Sequence, residues 1–211
     1  MMISFDYLVN KHKLDINGVL HLGASTGQER DAYDNYCKGK VIWVEAIPKV
    51  YLDLQQNIKP YPQQTAYNAC LSNVDGDEVV FNVSNNESQS SSILELGVHL
   101  LIHPEVHYVE QIAMKTERID TLLKDVDISG INFLNVDLQG AEHLAIEGMG
   151  DLIKNIDYAL LEVNMKETYK GCMLIDELDY FMLQRGFERV ETGEWVAETW
   201  TDALYIRKYK I

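Results

Sequence analysis

Gly18-Val19-Leu20-His21-Leu22-Gly23-Ala24-Ser25-Thr26-Gly27-Gln28-Glu29 decides how this chain is read. A short apolar run ends on glycine, small residues follow, and Ala32, Tyr33, Tyr36 and Cys37 then fall at helical spacing. The pattern predicts a strand, a tight loop and a helix. Glycine and small side chains let a backbone pass close beneath a nucleoside, and the start of the following helix offers unpaired N–H donors. The loop lacks the G-x-G-x-x-G order that cradles a dinucleotide pyrophosphate, and it lacks the phosphate loop G-x-x-x-x-G-K-[ST]. A ligand without bridging phosphates suits it better.

Outward from this stretch the alternation recurs. Val41-Ile42-Trp43-Val44 has the β-branched and aromatic make-up of a strand covered on both faces, and Pro48 suits the first turn of a helix carrying Val50, Tyr51, Leu54 and Ile58. Thr65 to Leu71 is expected as a third strand, Ile131 to Val136 as a fourth and Tyr158 to Val163 as a fifth. Val79 to Val83 and Ile112 to Thr116 read as additional strands, with an Asn/Ser/Gln-rich loop from Ser84 to Ser92 between them. Arg118 to Leu123 is a short helical segment, Gly140 precedes a helix through Leu144, Ala145 and Ile146, Ile175 to Gln184 is an amphipathic helix, and Ala203 to Ile206 is a closing strand. This order predicts an α/β fold, a Rossmann-like, mostly parallel, doubly wound sheet with flanking helices. Residues 1–17, with a short helix from Tyr7 to Lys13, are expected as an N-terminal helical cap on a single domain of residues 18–211.

Composition bounds the partners. With 46% hydrophobic and 24% charged residues, the 211-residue chain is globular and large enough to bury one continuous core. Thirty-three acidic against eighteen basic residues leave a formal charge of −15, whose average field repels phosphate backbones and anionic lipid. Neither nucleic acid nor a membrane is an expected partner, and Arg207, Lys208 and Lys210 read as a solvated end. Cys37, Cys70 and Cys172 are far apart and form no CxxC pair, which suits a reducing, cytoplasmic setting. No apolar leader region follows the first residues, and no eighteen-residue apolar run occurs.

Glu45 closes the second predicted strand twenty-two positions after Gly23, near the ~20-residue spacing at which an acidic side chain reaches a ribose. Two ribose hydroxyls are donors, and one carboxylate has two oxygens to receive them. The spacing alone also allows a plain tight turn and a solvated strand end. Four blocks together say more: Gly18 to Glu29, Val41-Ile42-Trp43-Val44-Glu45-Ala46-Ile47-Pro48, Asn135-Val136-Asp137-Leu138-Gln139-Gly140-Ala141-Glu142, and Leu161-Glu162-Val163-Asn164. In this order they resemble the FkbM-type S-adenosylmethionine-dependent methyltransferases, over about residues 18 to 190. The resemblance implies a class I methyltransferase in which Gly23, Ala24, Ser25, Gly27, Glu45 and Ala46 hold S-adenosylmethionine, and Asn68 and Ala69 flank its adenine. His21 stands where many members carry aspartate for a contact to the methionine amino group; the residue types also allow a hydrogen-bonded core histidine here.

Methyl transfer from a sulfonium is an in-line displacement and mainly a positioning task, but an alcohol nucleophile needs a base or a metal. Asp137 at the end of the fourth strand, and Glu162 and Asn164 at the end of the fifth, are expected on the rim facing the methyl donor. They would act there as a base, or as oxygen ligands for a divalent cation such as Mg²⁺, Ca²⁺ or Mn²⁺. Glu142 and His143 open the helix after Gly140; the first is a catalytic candidate that would also suit a helix N-terminus, the second a substrate contact. Ser91 and Ser92, in the polar loop, can hydrogen-bond a polyhydroxylated acceptor. His99, His103 and His107 are spaced by four as metal ligands on a helix can be, but Pro104 interrupts such a helix, and a lid or solvent-facing role is expected. The expected function is O-methylation of a sugar, glycan or related small molecule. An NAD-dependent oxidoreductase or epimerase would share the fold, though its glycine order and Tyr-x-x-x-Lys pair are missing, and a catalytically inactive nucleoside-binding module is the remaining alternative.

Overall fold

A computed structural model describes residues 3–208. In chain order the elements are α1 (Phe5–His12), β1 (Val19–Leu22), α2 (Arg30–Tyr36), β2 (Val41–Glu45), α3 (Pro48–Ile58), β3 (Gln64–Asn68), β4 (Cys70–Leu71), β5 (Glu78–Ser84), α4 (His99–Ile102), β6 (Tyr108–Glu117), α5 (Ile119–Leu122), β7 (Phe133–Val136), α6 (Glu142–Gly148), a 3-10 turn (Gly150–Asn155), β8 (Tyr158–Asn164), α7 (Ile175–Leu183), β9 (Phe187–Thr192) and β10 (Trp200–Arg207).

The apolar runs become the middle of a seven-stranded sheet of order β3-β2-β1-β7-β8-β10-β9. Its first five strands are parallel; β10 is antiparallel to both β8 and β9. Every residue of β1 and β2 is buried, because helices cover both faces. Alternate side chains therefore enter two separate cores. Leu20, Leu22, Val44, Val136 and Leu161 pack with Ala145, Ile146 and Met182 on one face. Val19, Trp43, Tyr33, Phe133 and Leu204 pack with Phe5 and Leu8 on the other. Phe5 meets Tyr33 edge-on at 4.7 Å and Phe133 at 5.1 Å, so α1 belongs to this second layer.

Between β3 and β7 the chain leaves the main sheet, builds the small sheet β4-β6-β5, and returns on the other side of β1. Strand order thus reverses between β1 and β7, and their loops part to leave a crevice above the strand tips. One expectation is corrected here, and one strand was not expected. Thr65 to Leu71 is not one strand: it passes from β3 in the main sheet to β4, where Cys70 and Leu71 pair with Thr116 and Glu117. The edge strand β9 escaped prediction because Glu188 and Arg189 face solvent and break its apolar alternation. Of the histidine series, His99 starts the single turn α4, His103 ends it, and His107 lies beyond Pro104 just before β6. Lys210 of the basic end lies outside the described residues. Among the described residues no helix is long and apolar enough to cross a membrane.

Candidate active site at the strand tips

The crevice holds a cavity of about 550 Å³, floored by the ends of β1, β2, β7 and β8 and walled on its outer side by residues 86–106. Gly23 makes its floor possible. With φ of +78° it lies so close to the loop after β7 that a Cβ would come within 1.8 Å of the Asp137 carbonyl oxygen. Gly23 and Ala24 donate their N–H groups to the Val44 carbonyl at 2.9 and 3.0 Å, so the loop curls over the tip of β2. Gly27 serves packing instead: a Cβ there would strike Leu54 Cδ1 at 2.7 Å, and the residue does not line the cavity.

Glu45 lines the cavity although only 6% of its surface is accessible. Ser25 N–H donates to its Oε2 at 2.9 Å and Ile47 N–H to its Oε1 at 2.8 Å. One lone pair on each oxygen remains for a ligand. Burial pushes this carboxyl up to about 7, against the pull of those N–H groups. Ala46 and Ala69 line the cavity beside it. Asn68 does not; its amide donates to the carbonyls of Glu45 and Ala46, both at 2.8 Å, and braces the loop from behind.

His21 lines the cavity floor and is also a hydrogen-bonded core residue. Its Nδ1 lies 3.0 Å from the Tyr33 hydroxyl, and its ring stacks on Trp43 at 5.0 Å. Burial lowers its pKa to about 3, so it is a neutral imidazole and offers no charge. Glu29, which the sequence reading passed over, stands beside it: Glu29 Oε2 is 3.9 Å from His21 Nδ1.

At the tips of β7 and β8, Gln139 organises the carboxylates. Its Nε2 donates to Asp137 Oδ1 and, at 3.0 Å, to Glu162 Oε2, while its Oε1 receives the Tyr169 hydroxyl. An amide thus occupies the place between two carboxylates that a cation would take. Among the described residues no group of three or more His, Cys, Asp or Glu side chains is arranged to hold a metal ion. Burial raises Asp137, opposed by Gln139. Burial, with Asp137, Glu142 and Asp202 nearby, raises Glu162 well above the usual carboxylate range. Asp202, opposite Glu162 in the β8–β10 ladder, also lines the cavity and is pushed up to about 7 by burial.

Three candidates stand elsewhere. Glu142 turns its Oε1 back to accept Leu138 N–H and Gly140 N–H, both at 3.0 Å, and it does not line the cavity. A carboxylate at the start of α6 meets free N–H groups of its own loop before it meets solvent, so its part is to fix the shape of residues 137–140. Asn164 is buried behind Glu162, with its Nδ2 3.5 Å from Glu162 Oε1. His143, one step along the helix and therefore turned by about 100°, faces a separate shallow groove with Cys172, Glu177 and Phe181. In the polar loop, Ser91 lines the cavity, whereas Ser92 donates to the Gln139 carbonyl at 2.9 Å and ties the loop to the strand tips. His99 completes the outer wall, with Nε2 3.2 Å from Ser90 Oγ and its ring 5.8 Å from Tyr169. Acidic side chains at Glu29, Glu45, Glu105, Asp137, Glu162 and Asp202 line the cavity, and among the described residues no lysine or arginine does.

A reversed parallel sheet with one antiparallel strand inserted beside its edge, carrying a glycine loop and acidic tips, defines a class I methyltransferase fold. It is similar to magnesium protoporphyrin IX methyltransferase from Synechocystis PCC 6803 with bound S-adenosylmethionine, at a TM-score of 0.53 and 12% identity, over 96% of this chain and 76% of that one. It is similar also to TrmK from M. capricolum in complex with S-adenosylhomocysteine, at a TM-score of 0.52 and 8% identity, over 100% and 71% of the two chains. The methyltransferase FkbM domain matches residues 21–189, and the chain belongs to that family. A curated relative, the 2-O-methyltransferase NoeI of Sinorhizobium fredii (strain NBRC 101917 / NGR234), is 23% identical over 187 residues, 83% of this chain and 76% of that protein.

Proposed function

We propose that this protein is an S-adenosylmethionine-dependent O-methyltransferase whose acceptor is a hydroxyl of an uncharged sugar, glycan or related polyol. The observation that carries the reading is a single cavity with Glu45 and the Gly23 loop at one end, and Asp137 bridged by Gln139 to Glu162 at the other. The residues present suit the cofactor: Gly23 lets the loop after β1 close against the Asp137 carbonyl beneath the cavity, and Glu45 has two lone pairs for the two ribose hydroxyls. Gly23, Ala24, Ser25, Glu45, Ala46 and Ala69 would hold it. When bound, S-adenosylmethionine supplies a methyl group on a sulfonium sulfur, which keeps the carbon–sulfur electron pair and becomes a neutral thioether as the oxygen–carbon bond forms.

The chain's own residues have to orient the hydroxyl and remove its proton. Asp137 is the base: burial makes it a stronger proton acceptor than a solvated aspartate, and Gln139 holds its Oδ1 in place. Since Gln139 already fills the gap between Asp137 and Glu162, the pair is better suited to base chemistry than to gripping a divalent cation. Ser90, Ser91 and His99 on the outer wall offer hydroxyl and imidazole groups to the acceptor. With six acidic side chains and, among the described residues, no lysine or arginine, the lining offers phosphate and carboxylate substituents no cationic partner of that kind, which favours a neutral polyol. The 2-O-methyltransferase activity carried in the name of the curated relative supports oxygen as the methylated atom.

The test couples binding to turnover. Calorimetry should give S-adenosylhomocysteine binding to the wild type, no NAD binding, and at least about tenfold weaker binding in Glu45→Ala. Incubation with labelled S-adenosylmethionine should then label neutral glycosides in preference to sugar phosphates. No binding of S-adenosylhomocysteine, or an unaltered affinity in Glu45→Ala, would remove the cofactor assignment.

A further inference from the structure

Glu29 follows the glycine loop and caps α2, yet its side chain makes no capping hydrogen bond. It lines the cavity instead, next to His21 and within the electrostatic reach of Asp137. Its Oε2 is cut off from solvent and has no hydrogen-bond partner. A buried carboxylate oxygen without a donor is an expensive arrangement, and such groups in folded chains normally mark a missing partner.

Apart from the Glu29 backbone N–H, which acts on the carboxyl, the chain provides that oxygen with no donor. His21 Nδ1 is the nearest basic atom at 3.9 Å, but it is neutral and already engaged with the Tyr33 hydroxyl. Arg30, the next residue, turns its guanidinium to the Gly27 carbonyl at 3.0 Å. Among the described residues no lysine or arginine lines the cavity. An anion in this position, with further carboxylates nearby, calls for a cationic donor from a ligand.

Glu45 and Glu29 stand at the ends of two different strands' loops, one after β2 and one on the loop after β1. Two carboxylates so separated suit two different parts of one elongated ligand. We propose that Glu29 recognises the ammonium group at the amino-acid end of S-adenosylmethionine, supplying the negative charge that the neutral imidazole of His21 does not. Burial of Glu29 raises its pKa while the site is without a cation, and a bound ammonium would favour its ionised form. This inference rests on the cofactor assignment above and adds the residue that separates the complete cofactor from its adenosine part.

The experiment compares two ligands on two proteins by isothermal calorimetry. S-adenosylhomocysteine carries the ammonium; 5′-methylthioadenosine has the same nucleoside thioether without the amino-acid group. Glu29→Gln should bind S-adenosylhomocysteine at least about tenfold more weakly than the wild type. Its affinity for 5′-methylthioadenosine should stay within about twofold, which also reports that the variant is folded, and Glu29→Asp should recover part of the loss. An unaltered affinity for S-adenosylhomocysteine in Glu29→Gln, or equal losses for both ligands, overturns the inference while leaving the cofactor assignment standing. A wild type that binds neither ligand overturns both.

Discussion

Asp137 and Glu162 face one cavity from adjacent strand tips, and the Gln139 amide lets both persist as carboxyl groups without a metal between them. Only Asp137 is proposed to take the acceptor proton, so its loss should fall on turnover. Asp137→Asn is expected to lower kcat by about 100-fold or more, with S-adenosylhomocysteine affinity within about threefold of wild type. Steady-state rates and calorimetry on the same preparation check both halves, and a wild-type rate would remove the base assignment. Gln139→Leu keeps the volume but leaves both carboxylates without their shared donor, and should raise the pH at which kcat reaches its plateau, read from a pH–rate profile. Glu45 and Asp137 were legible in the sequence because a strand end fixes where a side chain goes. Gln139 and Tyr169 were not: their roles depend on loop backbone in unusual conformations, as at Gln139 with φ of +53°, and on contacts across 30 positions, as between Gln139 and Tyr169.

At the level of elements, β1 and its loop carry the site, and the loop has no room to spare. Gly23→Ala puts a methyl group against the Asp137 carbonyl at a positive φ. It should therefore destabilise the protein by about 3 kcal/mol or more, measured as a lower urea midpoint with an unaltered slope. A midpoint equal to wild type would mean that the β1 and β7 loops do not approach as described. The inner parallel strands β1, β2, β7 and β8 could be read directly, since residues covered on both faces give apolar runs with nothing to confuse them. The passage from β3 to β4 could not, because Ala69, Cys70 and Leu71 stay buried while the backbone changes hydrogen-bonding partners. Burial writes itself into residue types; the identity of the neighbouring strand does not. His143 failed for a related reason, since adjacency to Glu142 in sequence is divergence on a helix.

Across the whole molecule, the interior is short of positive charge. Glu45, Glu142 and Asp202 are each pushed up to about 7, chiefly by burial, and burial also raises Glu162 well above the usual carboxylate range. The folded state therefore holds protons that the unfolded chain has released above about pH 4.5. Stability from these groups is complete below that pH and is lost as pH rises toward 7. The ligand-free protein should accordingly melt at least about 5 °C lower at pH 8 than at pH 5.5, at constant ionic strength. Scanning calorimetry over that range checks it, and a flat or rising midpoint would contradict the charge balance. S-adenosylmethionine, with a net positive charge, should recover part of the difference. Trp43 lies fully buried under the cavity floor with its indole stacked on His21, and Trp200 lines the cavity itself. Two of the three tryptophans are thus placed to sense what enters, so ultraviolet-excited emission of the unlabelled protein can serve as an optical gauge of occupancy.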